Sequence, residues 1–67
     1  MNKTSVLIID DNNSGLRLDI FLSKNHPDIS RASIQAQIKE GSTSVNGNIV
    51  RPSYILKAGD KVISGIH

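Results

Sequence analysis

Cysteine is absent from this 67-residue chain, which removes both a disulfide staple and a thiolate metal site. Its two histidines, His26 and His67, stand far apart with no partner at metal-ligand spacing, so neither a metal nor any other cofactor is expected. Long apolar runs are also missing. Val6 to Ile9 is far too short to span a bilayer, and nothing near it resembles a cationic segment followed by an apolar core and a small-residue cleavage site. The expected location is the cytoplasm. Length sets a further bound: 67 residues make one domain, 1–67, which buries only roughly 60% of its unfolded surface. A deep enzymatic cleft is not expected in so small a body.

The formal net charge of +2 permits a polyanionic partner without requiring one. Its distribution is more informative. Asp10 and Asp11 close the first strand candidate, whereas Arg17, Lys24, Arg31, Lys39, Arg51 and Lys57 are spread along the body. Ser5 to Ile9 reads as a short strand, ended by the turn-forming run Asp10 to Gly15. Leu18, Phe21 and Leu22 at i, i+3 and i+4 predict a helix, with Ser14 or Gly15 as its cap. It should stop near Asn25, because His26 precedes Pro27 and is biased away from helical angles.

A second helix is better signalled. Ser30 is a favourable N-cap, Ile29 and Ile34 are placed for a hydrophobic staple, and Ile34 with Ile38 forms an i, i+4 core stripe that Gly41 can terminate. Asn46-Gly47 predicts a two-residue hairpin, with Val45 on one arm and Ile49-Val50 on the other. Gly59-Asp60 then introduces a last strand from Lys61 to Ser64. The expected fold class is α+β, two helices packed on a small, mainly antiparallel sheet.

Helical periodicity places Arg31, Gln35 and Lys39 in one polar row beside the Ile34 and Ile38 stripe. Arg17 and Lys24, seven apart, fall on one flank of the first helix. Packing of the two apolar faces would let both rows border one groove, with Asn46 and the hairpin as a third wall. Such a groove suits phosphate oxygens, and Ser30 with the free amides of the second helix start would add donors and a favourable dipole. Taken alone, each feature also has a plain structural role: a solvated helix flank, a cap and a turn. Phe21 and Tyr54 are the only aromatics, so a stacking platform for splayed bases is absent. Recognition should favour backbone and shape. Lys3, in a terminus expected to fray, stands away from this groove.

The run Ser30-Arg31-Ala32-Ser33-Ile34, then Val45-Asn46-Gly47, then Leu56 to Val62 resembles the S-four RNA-binding domain from about Gly15 to Ile63. Within that class the chain is most similar to the amino-terminal domain of the ribosomal large-subunit pseudouridine synthases. Gly15-Leu16-Arg17-Leu18-Asp19 matches their Gly-x-Arg-Leu-Asp segment, and Arg51-Pro52-Ser53-Tyr54 resembles their basic-Pro-Ser link. The resemblance implies a binding domain that positions structured ribosomal or transfer RNA for a covalently linked catalytic domain, expected downstream. Ser33, Ala36 and Asn48 stand where such domains often carry a cation, which implies weak binding by the domain alone.

Arg17-Leu18-Asp19 also resembles the surroundings of the synthase's catalytic aspartate. Ile20-Phe21-Leu22-Ser23 follows here in place of the expected run ending in Thr-Ser-Gly, so Asp19 reads as a helix-start acid and no catalytic residue is expected. Two other classes share some features. A helix-turn-helix DNA reader would use Ile29 to Ile34 as the start of its recognition helix, but would place a further helix where the hairpin signals lie. A protein-interaction module would pair its Val6 to Ile9 strand with a partner.

Overall fold

The computed structural model describes residues 4–66; Lys3 and His67 lie outside them. The chain runs β1 (Ser5–Ile8), α1 (Leu18–Asn25), α2 (Arg31–Lys39), β2 (Thr43–Val45) and β3 (Lys61–Ser64). The strands form one antiparallel sheet in the order β1-β3-β2, with Leu7, Val62 and Val45 in register across it. That row faces the core. Alternation puts Val6, Ile8 and Ile63 on the opposite face, where Val6 and Ile8 are more than half exposed. The two helices pack on each other, and α2 reaches β2. Leu18, Phe21 and Leu22 from α1 join Ile34 and Ile38 from α2, with Ile9, Val45, Leu56, Val62 and Ile66, in one buried cluster. The α+β expectation therefore holds, and among the described residues no third helix forms for a DNA reader. No helix among them is long and apolar enough to cross a membrane.

The second helix starts and stops as its residues dictate. Ser30 Oγ accepts from the Ser33 amide at 3.2 Å. At the other end Gly41 adopts φ +91°, its amide donates to Ile38 and the Ser42 amide to Gln37, the paired bonds of a Schellman stop. The first helix departs from expectation. Its N-cap position is Arg17, with no side-chain cap, rather than Ser14 or Gly15. The free amides of its first turn are satisfied from a distance instead: Leu18 N–H donates to the Tyr54 carbonyl at 2.8 Å and Asp19 N–H to the Pro52 carbonyl at 3.0 Å. Gly15 and Leu56 extend this clasp, with Gly15 N–H donating to Leu56 and Leu56 N–H to Leu16, both at 2.8 Å.

The Asn46-Gly47 turn forms with positive φ at both residues, 54° and 84°, closed by two bonds between Val45 and Asn48. Its second arm ends there. Ile49-Val50, expected as strand, are not in the sheet, because β2 pairs with β3 instead and the chain turns away to place Pro52 against α1. Asn46 ties the turn to β3: its side-chain oxygen accepts from Lys61 N–H and its amide donates to Asp60, both at 3.0 Å. Asp60 also accepts from Lys57 N–H and the Tyr54 hydroxyl. Those bonds, the Lys57 amide foremost, hold its carboxyl below the ordinary range.

Gly47→Ala keeps the turn in place but forces a Cβ into a left-handed conformation, at a cost of roughly 1 kcal/mol. The thermal midpoint, followed by circular dichroism, should fall by about 4–8 °C.

Candidate nucleic-acid interface

The clasp of residues 52–56 over the start of α1 has a consequence at the surface: it sets Arg51, Pro52 and Ser53 beside Arg17. Together with Gln35, Lys39, Ile49 and Val50 they line an open groove of about 640 Å³. Three cations, Arg17, Lys39 and Arg51, and no acid stand on its walls. Ile49, 60% exposed, and Pro52 make one side apolar.

Beneath the groove lies Asp19, 0% exposed. Its Oδ2 receives Arg17 Nη2 at 3.0 Å and Gln35 Nε2 at 2.8 Å, with Arg31 Nε at 3.9 Å, while Oδ1 accepts from Ile20 N–H at 2.8 Å. Burial pushes this carboxyl's pKa up, but the Gln35 hydrogen bond, the Arg17 charge, the Ile20 amide and Arg31 together outweigh it and leave the pKa below the ordinary value of 3.8. One carboxylate thus joins both helices and orients a groove cation and a groove amide. The Arg17 guanidinium is held at the groove edge by its Nη2 bond to Asp19, while its Nε is buried without a hydrogen-bond partner.

The residues expected at the interface divide accordingly. Arg17, Gln35 and Lys39 come together. Arg31 continues their row to the first turn of α2, half exposed and drawn toward Asp19. Lys24 shares a flank with Arg17 but lies at the far end of α1, about 10 Å along the axis at 1.5 Å per residue, and does not line the groove. Ser30 is used as a cap and Asn46 as a turn anchor. The third wall is therefore residues 49–53, not the hairpin. Arg51 is the groove residue that charge spacing alone does not find. Its only signal is the basic-Pro-Ser link, whose carbonyls grip α1.

The S4 domain family matches residues 16–62, about two thirds of the chain. The chain belongs to that family. An S4 domain is an RNA-binding domain, and the relatives of this one are pseudouridine synthases. It is 50% identical over 48 residues to an uncharacterized RNA pseudouridine synthase of Aquifex aeolicus, covering 70% of this chain and 15% of that protein. Over 62 residues it is 34% identical to an uncharacterized RNA pseudouridine synthase of Bacillus subtilis, 92% of this chain and 20% of that one. A ribosomal large subunit pseudouridine synthase C of Buchnera aphidicola is 33% identical over 58 residues, 87% of this chain and 18% of its own length. The chain thus spans a fifth or less of the curated relatives it matches.

Since the folded pKa of Asp19 lies below its unfolded value, its contribution to stability is present above about pH 4 and is lost as pH falls through the folded pKa. Asp19→Asn should cost about 1–2 kcal/mol at pH 7, less than the roughly 3–5 of a fully buried pair because Arg17 and Arg31 stay partly solvated. Urea titrations stepped from pH 7 to 3 should show this difference shrinking toward acid; Asp60, lowered in the same direction, leaves a residual slope in both proteins.

Proposed function

We propose that the chain is the RNA-holding module of a pseudouridine synthase and positions structured ribosomal or transfer RNA, in the cytoplasm, for a covalently linked catalytic domain. The observation that carries the reading is the groove itself. In an S4 domain whose relatives are pseudouridine synthases, Arg17, Lys39 and Arg51 gather on one surface with no acid among them. Cations from three separate segments present donors along one groove, which fits the closely spaced phosphates of folded RNA better than a flexible strand. Arg31 extends the row. Phosphate contacts position RNA without reading bases, consistent with two aromatics of which one, Phe21, is buried in the core. The chain itself performs no catalysis in this reading, since the described residues offer no positioned nucleophile in a water-excluding pocket. Purified chain incubated with RNA should yield no pseudouridine, and turnover would overturn that part.

Titrations of an RNA stem-loop at several salt concentrations test the binding. Three phosphate contacts give a log-log salt slope of roughly 2–3 in magnitude, at 0.7–0.9 per contact. Arg51→Ala and Lys39→Ala should each weaken binding and reduce the slope by about one contact's worth, roughly 0.7–0.9. Lys57→Ala, in the turn before Asp60 and off the groove, should leave both unchanged. Equal losses for Lys57 and Arg51 would remove the groove from the interface.

A further inference from the structure

Gln35 is the one amide among the groove-lining side chains. A carboxylate only accepts hydrogen bonds, so the bond from Gln35 to Asp19 fixes which end of the amide faces inward: Nε2 donates to Oδ2 at 2.8 Å. The carbonyl oxygen is thereby turned away from Asp19. It has no hydrogen-bond partner among the described residues and is not sealed from solvent. The buried, ionised Asp19 thus presents an oriented acceptor in a groove whose other polar walls are Arg17, Lys39, Arg51 and Ser53.

An acceptor there disfavours a phosphate oxygen and calls for a donor next to one. On an A-form backbone the donor that accompanies every phosphate is the ribose 2′-hydroxyl, displayed across the wide, shallow minor groove. We infer that Gln35 is a specificity-determining residue: its carbonyl oxygen accepts a hydrogen bond from a 2′-hydroxyl while Arg17, Lys39 and Arg51 hold the flanking phosphates. Asp19 is the positioning residue that keeps the amide from turning over. This assignment rests on the groove reading above and adds to it the means of telling RNA from DNA, which phosphate contacts alone do not supply.

The test compares one RNA stem-loop with the same sequence carrying 2′-O-methyl groups throughout, which keeps A-form geometry and removes the donor. The full chain should prefer the unmodified RNA by about fivefold, the worth of one neutral hydrogen bond. Gln35→Met keeps side-chain length but not the amide; it should bring that ratio near one and leave the salt slope unchanged. Asp19→Asn, which can offer either end of its own amide to Gln35, should also lower the ratio. If that variant does not fold, Gln35→Met, altered at a half-buried position, decides alone. A ratio that Gln35→Met leaves unchanged, or no preference in the wild-type chain, overturns the Gln35 assignment while leaving the groove reading standing. Absence of salt-dependent binding to the unmodified RNA overturns both.

Discussion

A single buried carboxylate does the joining in this domain. Asp19 sits in the first turn of α1, where a negative charge is favoured by the helix dipole, yet its side chain is spent on Gln35 of α2 and on Arg17, two residues before it. Taking a carboxylate out of water is costly unless it is paired and bonded, and here four neighbours meet that cost. The same contacts determine the surface above. Without Asp19, Arg17 and Gln35 would be two flexible side chains on separate helices; with it they form one edge of a groove.

A second, quieter constraint completes that groove. The start of α1 has no side chain to cap it, so its amides reach the carbonyls of Pro52 and Tyr54. The segment that satisfies the helix is therefore held against it, and Arg51 arrives beside Arg17 as a result. Asp60 anchors the far side, binding the Lys57 amide, the Tyr54 hydroxyl and the Asn46 amide. The bonds that cap α1 thus also build the groove wall, and Asp60 ties the same segment, through Tyr54, to the Asn46 turn. In a chain with so little core, few residues are left for one role only.

Much of this was legible in the sequence wherever the cause was local. The Ser30 cap, the Gly41 stop, the Asn46-Gly47 turn and the strand Lys61–Ser64 follow from residues within four or five positions of each other, and they form as the sequence predicts. The Arg31, Gln35 and Lys39 row was legible for the same reason, since a helix carries its own ruler. What escaped depends on distant partners. Ile49-Val50 read as a strand because an Asn-Gly turn ordinarily joins two arms, yet β3 claims β2 and the second arm is drawn toward α1. The α1 cap is not legible locally because its acceptors, the Tyr54 and Pro52 carbonyls, lie over thirty residues away. Lys24 shares a direction with Arg17 on the helical wheel but not a position along the axis, and a shared direction alone does not make one site.

Under the proposed function, a domain that binds RNA weakly alone gains from attachment: tethering to a second RNA-binding body raises the effective concentration of each for the same RNA. Three groove cations on a domain of 67 residues suit that role better than they suit high affinity alone. The central claim is that folded RNA occupies the groove above Asp19. Mapping amide and side-chain chemical shifts of the labelled chain during titration with an RNA stem-loop tests it most directly. The account predicts the largest shifts at Arg17, the Gln35 side-chain amide, Lys39 and residues 49–53, with little change at Val6, Ile8 and Ile63. Shifts concentrated on that outer sheet face, or at Asn46 and Gly47, would contradict it.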